Sequence, residues 1–376
     1  TDQRRCTMDL LQPTENGLYC EPGDFYVDPW RPVERAVITH AHSDHARSGS
    51  RSYLTALPGV ALLRERLGRD ASIRGLPYGE SVDMNGVRVS LHPAGHLLGS
   101  AQVRIEHHGE VWVVSGDYKL QADPTCEPFE PVKCHVFLTE STFGLPIYRW
   151  PAPERVFAEI NAWWAGNQQN QRTSILFAYA LGKAQRLLAG VDAGLGPIVV
   201  HGAVARLVPA YTSAGVQLPE VYQAEPQWIQ AVRGRGLVIA PPSAIGHPWL
   251  RKFGPASTAF ASGWMQVRGA RRWRSLDRGF ILSDHTDWDG LICAVHDCGA
   301  ERVGVTHGFA APFARWLNEQ GHASWVVPTH YEPQDEEEAE VLPSTAALES
   351  ASPGAAPLES ASGVDIAVAT TEGGRE

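Results

Sequence analysis

His40-Ala41-His42-Ser43-Asp44-His45 places four metal-ligating side chains in one short stretch, directly after the apolar run Val33 to Thr39, which reads as a buried strand. Side chains alternate along an extended segment, so His40 and His42 point to the same side and can share one ion. If the chain then turns into a helix, Asp44 and His45 reach a neighbouring point where a second ion can sit. Neutral imidazoles with a hard carboxylate suit zinc, and manganese or iron less exclusively. His-rich loops also arise by chance, but these ligand types at this spacing behind a strand form a two-metal hydrolase signature.

The same arrangement repeats at later strand ends. Pro93-Ala94-Gly95-His96-Leu97-Leu98-Gly99-Ser100 sets His96 on a glycine-punctuated loop after a strand ending at Leu91, completing a three-histidine set with His40 and His42. Ser115-Gly116-Asp117 ends the strand Val111 to Ser115 with a carboxylate, the group best able to bridge two cations. Thr139-Glu140-Ser141-Thr142 follows the strand Val136 to Leu138, and Leu282-Ser283-Asp284-His285-Thr286-Asp287 ends the strand starting at Phe280. A Glu paired with a His is a workable general acid, because the carboxylate holds the imidazole protonated and oriented toward a leaving oxygen. Thr306-His307-Gly308, after the strand Arg302 to Val305, offers one more imidazole for the second metal. His92, His107, His247 and His322 lack such context and read as structural or surface residues.

A chain of 376 residues implies two domains, or one with a large insertion. No apolar stretch of about 18 residues occurs, and the N-terminal stretch lacks a basic segment followed by an apolar one, which argues against a membrane span and a signal peptide. Cys6, Cys20, Cys126, Cys134, Cys293 and Cys298 are scattered without a CxxC pair, so reduced thiols and a cytoplasmic location are expected. The formal charge of -10 is unevenly spread. From Pro333 to Glu376 ten acidic residues face only Arg375, whereas from His201 to Phe280 ten Arg or Lys face three acidic residues. The densest basic run, Arg268, Arg271, Arg272, Arg274 and Arg278, is interleaved with Trp264 and Trp273 and suits phosphate pairing with base stacking, or else is a solvated surface.

Short strands and turns fill the first third, including Val87 to Leu91 and a hairpin from Ala101 to Ser115 that turns at His107-His108-Gly109-Glu110. Helices are expected at Val60 to Gly68 and Glu154 to Trp164. From about Leu145 the texture becomes alternating strands (Ser174 to Tyr179, Pro197 to Val200, Gly236 to Ala240, Thr258 to Ala261) and helices such as Lys183 to Val191, the rhythm of a parallel sheet. Phe280 to Ser283, Arg302 to Val305 and Ser324 to Val327 then resume strand-like runs. Ligand-bearing segments flank the region on both sides, so it is expected to be an insertion: 1–144 and 279–332 form one discontinuous domain, 145–278 a second, and 333–376 a disordered acidic tail.

HAHSDH, the GH at His96, SGD at Asp117, TES at Glu140, SDH at His285 and TH at His307 together resemble the successive motifs of the metallo-β-lactamase superfamily, β-CASP branch. Asn16 to Cys20, Asp28 to Pro32 and Phe177 to Arg186 are similar to the bacterial ligase-associated DNA exonucleases, relatives of Artemis. The resemblance runs from about Gly17 to Pro328. It implies an αββα sandwich carrying an inserted α/β domain built on a parallel sheet, with His40, His42 and His96 on one divalent ion, Asp44, His45 and His307 on a second, and Asp117 bridging. Glu140 and His285 would form the acid pair. Ser141, Thr142 and Lys183 become candidates for substrate phosphate, Lys183 being alternatively an exposed helix-start lysine, with Arg271 and Arg272 contributing from the basic run.

The implied activity is hydrolysis of DNA phosphodiesters by an exonuclease in DNA repair and end processing, with attack from a 5′ end. The implied partners are a DNA strand or strand end, an ATP-dependent DNA ligase and a helicase. A histidine at the position of His307 is associated more with RNA enzymes of the group, so an RNA-processing ribonuclease is the alternative. A small-molecule metallo-hydrolase of thioester or lactam type is the second alternative, although such enzymes do not need a basic inserted domain. A non-catalytic scaffold would not need the full ligand set.

Overall fold

Val- and Leu-rich runs punctuated by Gly and Asn turns fill the first third of the chain and pair into two mixed sheets. The computed structural model describes residues 9–267 and 276–329, all within one compact unit, Thr1–Val341. A second unit, Leu342–Glu376, lies outside the described residues, as does the whole of the expected acidic tail, 333–376. The first sheet has the order β1 (Gln12–Thr14), β2 (Gly17–Cys20), β3 (Phe25–Val27), β4 (Arg35–Val37), β5 (Ser52–Ala56) and β6 (Ile73–Leu76). The second comprises β7 (Ser81–Met84), β8 (Val87–Pro93), β9 (Ala101–His107), β10 (Glu110–Val114), β11 (Val136–Glu140), β17 (Arg302–Thr306) and β18 (Ala323–Val326), paired in that order.

Alternation puts Val27, Val37 and Leu54 of one sheet against Val89, Val103, Trp112 and Leu138 of the other, giving one buried layer between them. Helix α1 (Val60–Leu67) covers the outer face of the first sheet, packing Leu62 and Leu63 with Ile38 and Tyr53. On the outer face of the second, helices that follow the third sheet bury Leu291, Val295, Phe313 and Leu317 against Val113, Phe137 and Val303. The result is the expected αββα sandwich.

Between β11 and β17 the chain makes α2 (Pro153–Gln169), α3 (Lys183–Gly190), α4 (Gly202–Ala205), α5 (Val208–Ser213), α6 (Pro226–Val232) and α7 (Trp288–Cys298); α8 (Ala310–Glu319) follows β17. Five strands in this stretch form an all-parallel sheet in the order β13 (Ile198–Val200), β14 (Leu237–Ala240), β12 (Thr173–Phe177), β15 (Ala256–Ala261) and β16 (Arg278–Phe280). Strands β12 and β14 at its centre are buried along their whole length and mostly apolar, as burial on both faces requires. β11 and β17 pair directly, Glu140 opposite Thr306, so the parallel sheet is an excursion from a sheet that closes behind it.

Beyond shifts of one or two residues at element ends, four departures from the sequence expectations stand out. No helix follows His42; a single turn closed by Ala46 N donating to His42 O suffices to deliver Asp44 and His45. α2 runs on to Gln169, with Asn167, a weak helix former, anchored by a hydrogen bond to Ser174 Oγ and Gln168 by one to the Leu195 carbonyl. The run Phe280 to Ser283 is a strand only up to Phe280 and belongs to the parallel sheet, after which Arg186 takes the Ser283 carbonyl. Val33 to Thr39 forms a ladder only over Arg35–Val37.

Among the described residues no helix is long and apolar enough to cross a membrane. Trp112 fills the layer between the sheets and is 1% exposed. Trp112→Ala is expected to lower stability by about 3–5 kcal/mol, measurable by urea denaturation.

Candidate metal centre

The chemistry-bearing residues follow the C-terminal ends of strands: β4 leads to His40, β8 to His96, β10 to Asp117, β11 ends on Glu140, β16 leads to His285 and β17 to His307. Tight backbone passages set their directions. Gly116 has φ +56 and packs on Thr39, where a Cβ would come within 2.7 Å of the threonine Cβ. Gly308, at φ +58, lies so close to Thr142 that a Cβ would sit 2.4 Å from its Cα.

Three side-chain groups result, each with one ligand atom per residue within 4.8 Å of the others: His40, His42, His96 and Asp117; Asp44, His45 and His307; and Asp117, Glu140 and His285. In the first, outer hydrogen bonds fix the tautomers. His42 Nε2 donates to the Leu181 carbonyl at 3.2 Å, and His96 Nδ1 donates to the Asp284 carbonyl at 2.7 Å. Thr39 Oγ1 donates to Asp28 at 2.6 Å and is left to accept from His40 Nδ1 at 3.1 Å. The inward nitrogens therefore carry lone pairs, and His42 Nδ1 lies 3.1 Å from both His40 Nε2 and His96 Nε2. Burial drives all three imidazoles toward the neutral form, strongly so for His40 and His96. Converging lone pairs with no proton between them need a cation.

In the second group His45 Nδ1 donates to Asp28 Oδ2 at 2.7 Å, which turns Nε2 inward, 3.4 Å from Asp44 and 3.5 Å from Asp117. His45 Nε2 and Asp44 Oδ1 are buried without a hydrogen-bond partner. Burial opposes charge on His45, yet Asp44, Asp117 and Asp28 raise its pKa well above the ordinary value, the sign of a pocket in excess of negative charge. His307, held in the left-handed region at φ 54, stacks its ring 5.3 Å from that of His45. These donor sets fit two divalent cations.

The chain is 32% identical over 315 residues to a probable DNA ligase from Opitutus terrae, a match covering 83% of this chain and 30% of that protein. It is 33% identical over 122 residues to cleavage and polyadenylation specificity factor subunit 3 from Dictyostelium discoideum, covering 32% of this chain and 16% of the relative. A ribonuclease from Thermus thermophilus matches at 30% identity over 170 residues, 38% of this chain and 39% of its own. The chain belongs to the β-CASP branch of the metallo-β-lactamase superfamily. It spans well under half the length of these curated relatives. A solved structure of a protein of unknown function from Enterococcus faecalis V583 shares the fold, with a TM-score of 0.54 at 12% identity over 79% of this chain and 80% of the other. A scan against protein-family models finds no match.

In this β-CASP protein Glu140 accepts from His285 Nδ1 through both oxygens, at 3.1 and 2.9 Å, and from Tyr118 N at 2.9 Å. Burial works against the charged imidazole, but Glu140 and then Asp117 outweigh it and raise the His285 pKa to about 9. Trp150 Nε1 donates to the His285 carbonyl and fixes the backbone. A groove of about 240 Å3 opens beside the first cluster, lined by His42, Ser43, Arg66, Tyr179 and Arg206 among others.

The other residues singled out by their place in the sequence are positioned differently. Ser141 is fully buried and its hydroxyl donates to the carbonyls of Thr306 and His307, supporting the ligand loop. Thr142 is half-buried and its N–H donates to Glu140. Lys183 is buried 3.7 Å from Asp284 and over the Tyr179 ring, not an exposed helix-start lysine. Arg271 and Arg272, with Arg268, Arg274 and Trp273, lie outside the described residues. Trp264 does not offer itself to a base; it is 9% exposed in an aromatic cluster with Phe143 and Tyr148. Arg233 and Arg235 precede β14 and so sit at the opposite end of the parallel sheet from His285.

Sequence reasoning gave no role to Asp28, which braces His45 and Thr39, or to Asp284 with Lys119, Lys183 and Arg186 around it. Asp28 follows β3, the neighbour of the strand that carries His40, and that placement was its one available signal.

Two outcomes follow. Asp28→Ala should weaken binding of one ion by about 10–100-fold in equilibrium dialysis. Glu140→Gln removes the largest effect raising the His285 pKa, so the acid form, present below about 9, is lost at lower pH. The alkaline limb of the pH–rate profile should move down, and a limb that stays in place would count against His285 as the acid.

Proposed function

We propose that this protein is a metal-dependent DNA exonuclease that hydrolyses phosphodiester bonds in DNA repair and end processing, starting from 5′ ends. The observation that carries the choice of DNA is the relative named a probable DNA ligase, about a third of which aligns with most of this chain. An end-trimming activity joined to a sealing one shares a substrate with it, which also supports a working association with a DNA ligase; an ATP-dependent ligase and a helicase as partners rest on the family resemblance alone.

Two divalent cations, zinc foremost, held by His40, His42, His96, Asp117, Asp44, His45 and His307, would supply Lewis acidity and an activated water for attack on phosphorus. The chain's own groups do the rest. His285 carries the proton that goes to the departing sugar oxygen, and Glu140 keeps it charged and aimed. Asp117 places a carboxylate against both ligand clusters. Lys183 of the insertion, which acts on His285, and Thr142 of the sandwich, beside Glu140, are the proposed phosphate contacts among the described residues, with Arg271 and Arg272 outside them. The sandwich and the insertion, expected over 145–278 and extended by β16 to Phe280, would close on the strand between them.

RNA is the second reading, favoured by the Thermus ribonuclease and by other relatives named as endoribonucleases. Single strands of DNA and RNA labelled at the 5′ or 3′ end, incubated with each metal, separate the readings. A 5′-labelled mononucleotide released first from DNA is expected; faster RNA cleavage at internal sites would overturn the assignment, and turnover of a thioester or β-lactam without nuclease activity would overturn the reaction class. Asp117→Ala should abolish cleavage with the fold largely intact by circular dichroism. Phosphate contacts by Lys and Arg imply binding that weakens steeply with salt.

A further inference from the structure

Of the two ligand clusters, one is braced from the sandwich at His45 and at His307. His45 leans on Asp28, after β3, and His307 Nδ1 lies 2.8 Å from the hydroxyl of Thr306, in β17. The other is not braced from the sandwich alone. His42 donates its outer N–H to Leu181, in the turn between β12 and α3, and His96 donates its own to Asp284, just past β16. Both carbonyls belong to the excursion that carries the parallel sheet.

Those carbonyls are themselves held by α3. Gln185 accepts from Gly182 N at 2.8 Å and donates to the Ala180 carbonyl at 3.0 Å, which locks the turn containing Leu181. The Asp284 carboxylate lies 3.7 Å from Lys183 and 3.5 Å from Arg186, both on α3, and 4.0 Å from Lys119. Arg186 also donates to the Ser283 carbonyl and to Gln121, and lies 3.5 Å from Asp123. Lys119 closes the network by donating to Asp123 at 2.6 Å and to the His96 carbonyl at 3.3 Å. Every charged side chain in it is 5% exposed or less. Such a network keeps its geometry only while α3 stays seated, because a buried charge that loses its partner is costly.

We infer that α3 is a positioning element of the metal centre: it braces the His40–His42–His96 cluster through Leu181 and Asp284, so the ion held there depends on the seating of the inserted lobe while the ion at Asp44–His45–His307 does not. The inference rests on the two-cation reading proposed above. Outer partners orient ligating histidines, and their loss typically costs about 10–100-fold in metal affinity. By linkage, filling the first cluster stiffens α3 and its preceding turn, and filling the second leaves them unchanged.

The test uses the full chain stripped with a chelator and titrated with zinc alone, the bound metal being counted after dialysis at graded free zinc. The wild-type chain is expected to bind two ions. Arg186→Gln is expected to weaken one of them by about 10–100-fold, and Arg186→Lys to recover part of the loss. Placed on His307→Ala, which leaves the first cluster, Arg186→Gln should weaken the remaining ion. Placed on His96→Ala, which leaves the second, it should have no effect. Equal weakening on both backgrounds overturns the inference and leaves the two-cation reading standing; a wild-type chain that never binds more than one ion overturns that reading and the inference with it. Hydrogen exchange needs no change to the network. Residues 179–190 should exchange more slowly when zinc is added to the wild type and at an unchanged rate in His96→Ala, and the same slowing in both overturns the inference even if Arg186→Gln does not fold.

Discussion

One carboxylate oxygen, Asp117 Oδ2, stands 3.5 Å from His40 and His45 and 3.9 Å from His96 and His285. A buried carboxylate survives as an anion only where charge or hydrogen bonds replace water, and here the imidazoles of His45 and His285, from two separate segments, do so. Burial alone would push Asp117 toward its protonated form; His45 and His285 pull it well below the usual carboxylate range. The β10 loop, the β16 loop and the HAHSDH turn thus share one electrostatic requirement. The sandwich has to bring its strand ends to the same edge because each ends on a group that is costly to bury alone.

The residues that gather at the candidate site were legible in the sequence because each is local: a His, Asp or Glu at or a few places beyond the end of an apolar run, repeated at His40, His96, Asp117, Glu140 and His307. What braces those ligands was not. Asp28 and His45 are 17 positions apart, and His96 and Asp284 are 188 apart, separations at which only the fold decides who meets whom. Side-chain direction was equally hidden. Trp264 has the composition of a base-stacking residue and Ser141 that of a phosphate ligand, yet one is packed among Phe143 and Tyr148 and the other turns back to the β17 loop.

The parallel sheet was legible as a rhythm of buried strands, but its last member was read into the wrong sheet. Phe280 looks like the resumption of the sandwich because a ligand follows it, whereas its backbone pairs with Ala261. Ligand position and strand membership are separate properties: the loop after β16 reaches the sandwich although β16 itself does not. The basic residues show the same separation, since Arg233 and Arg235 sit at the start of β14, away from the strand ends that build the site.

Glu140 is the last residue of β11 and His285 lies shortly after β16, and their side chains meet at 2.9 Å. The excursion therefore departs and comes back at a single spot, and that spot is the proposed proton donor. A body joined to its neighbour this way would have its fulcrum at the reacting atoms. Under the proposed function, tilting it would change the width of the far rim by a long lever arm and leave His285 nearly in place, so strands of different girth could be admitted without re-aiming the acid.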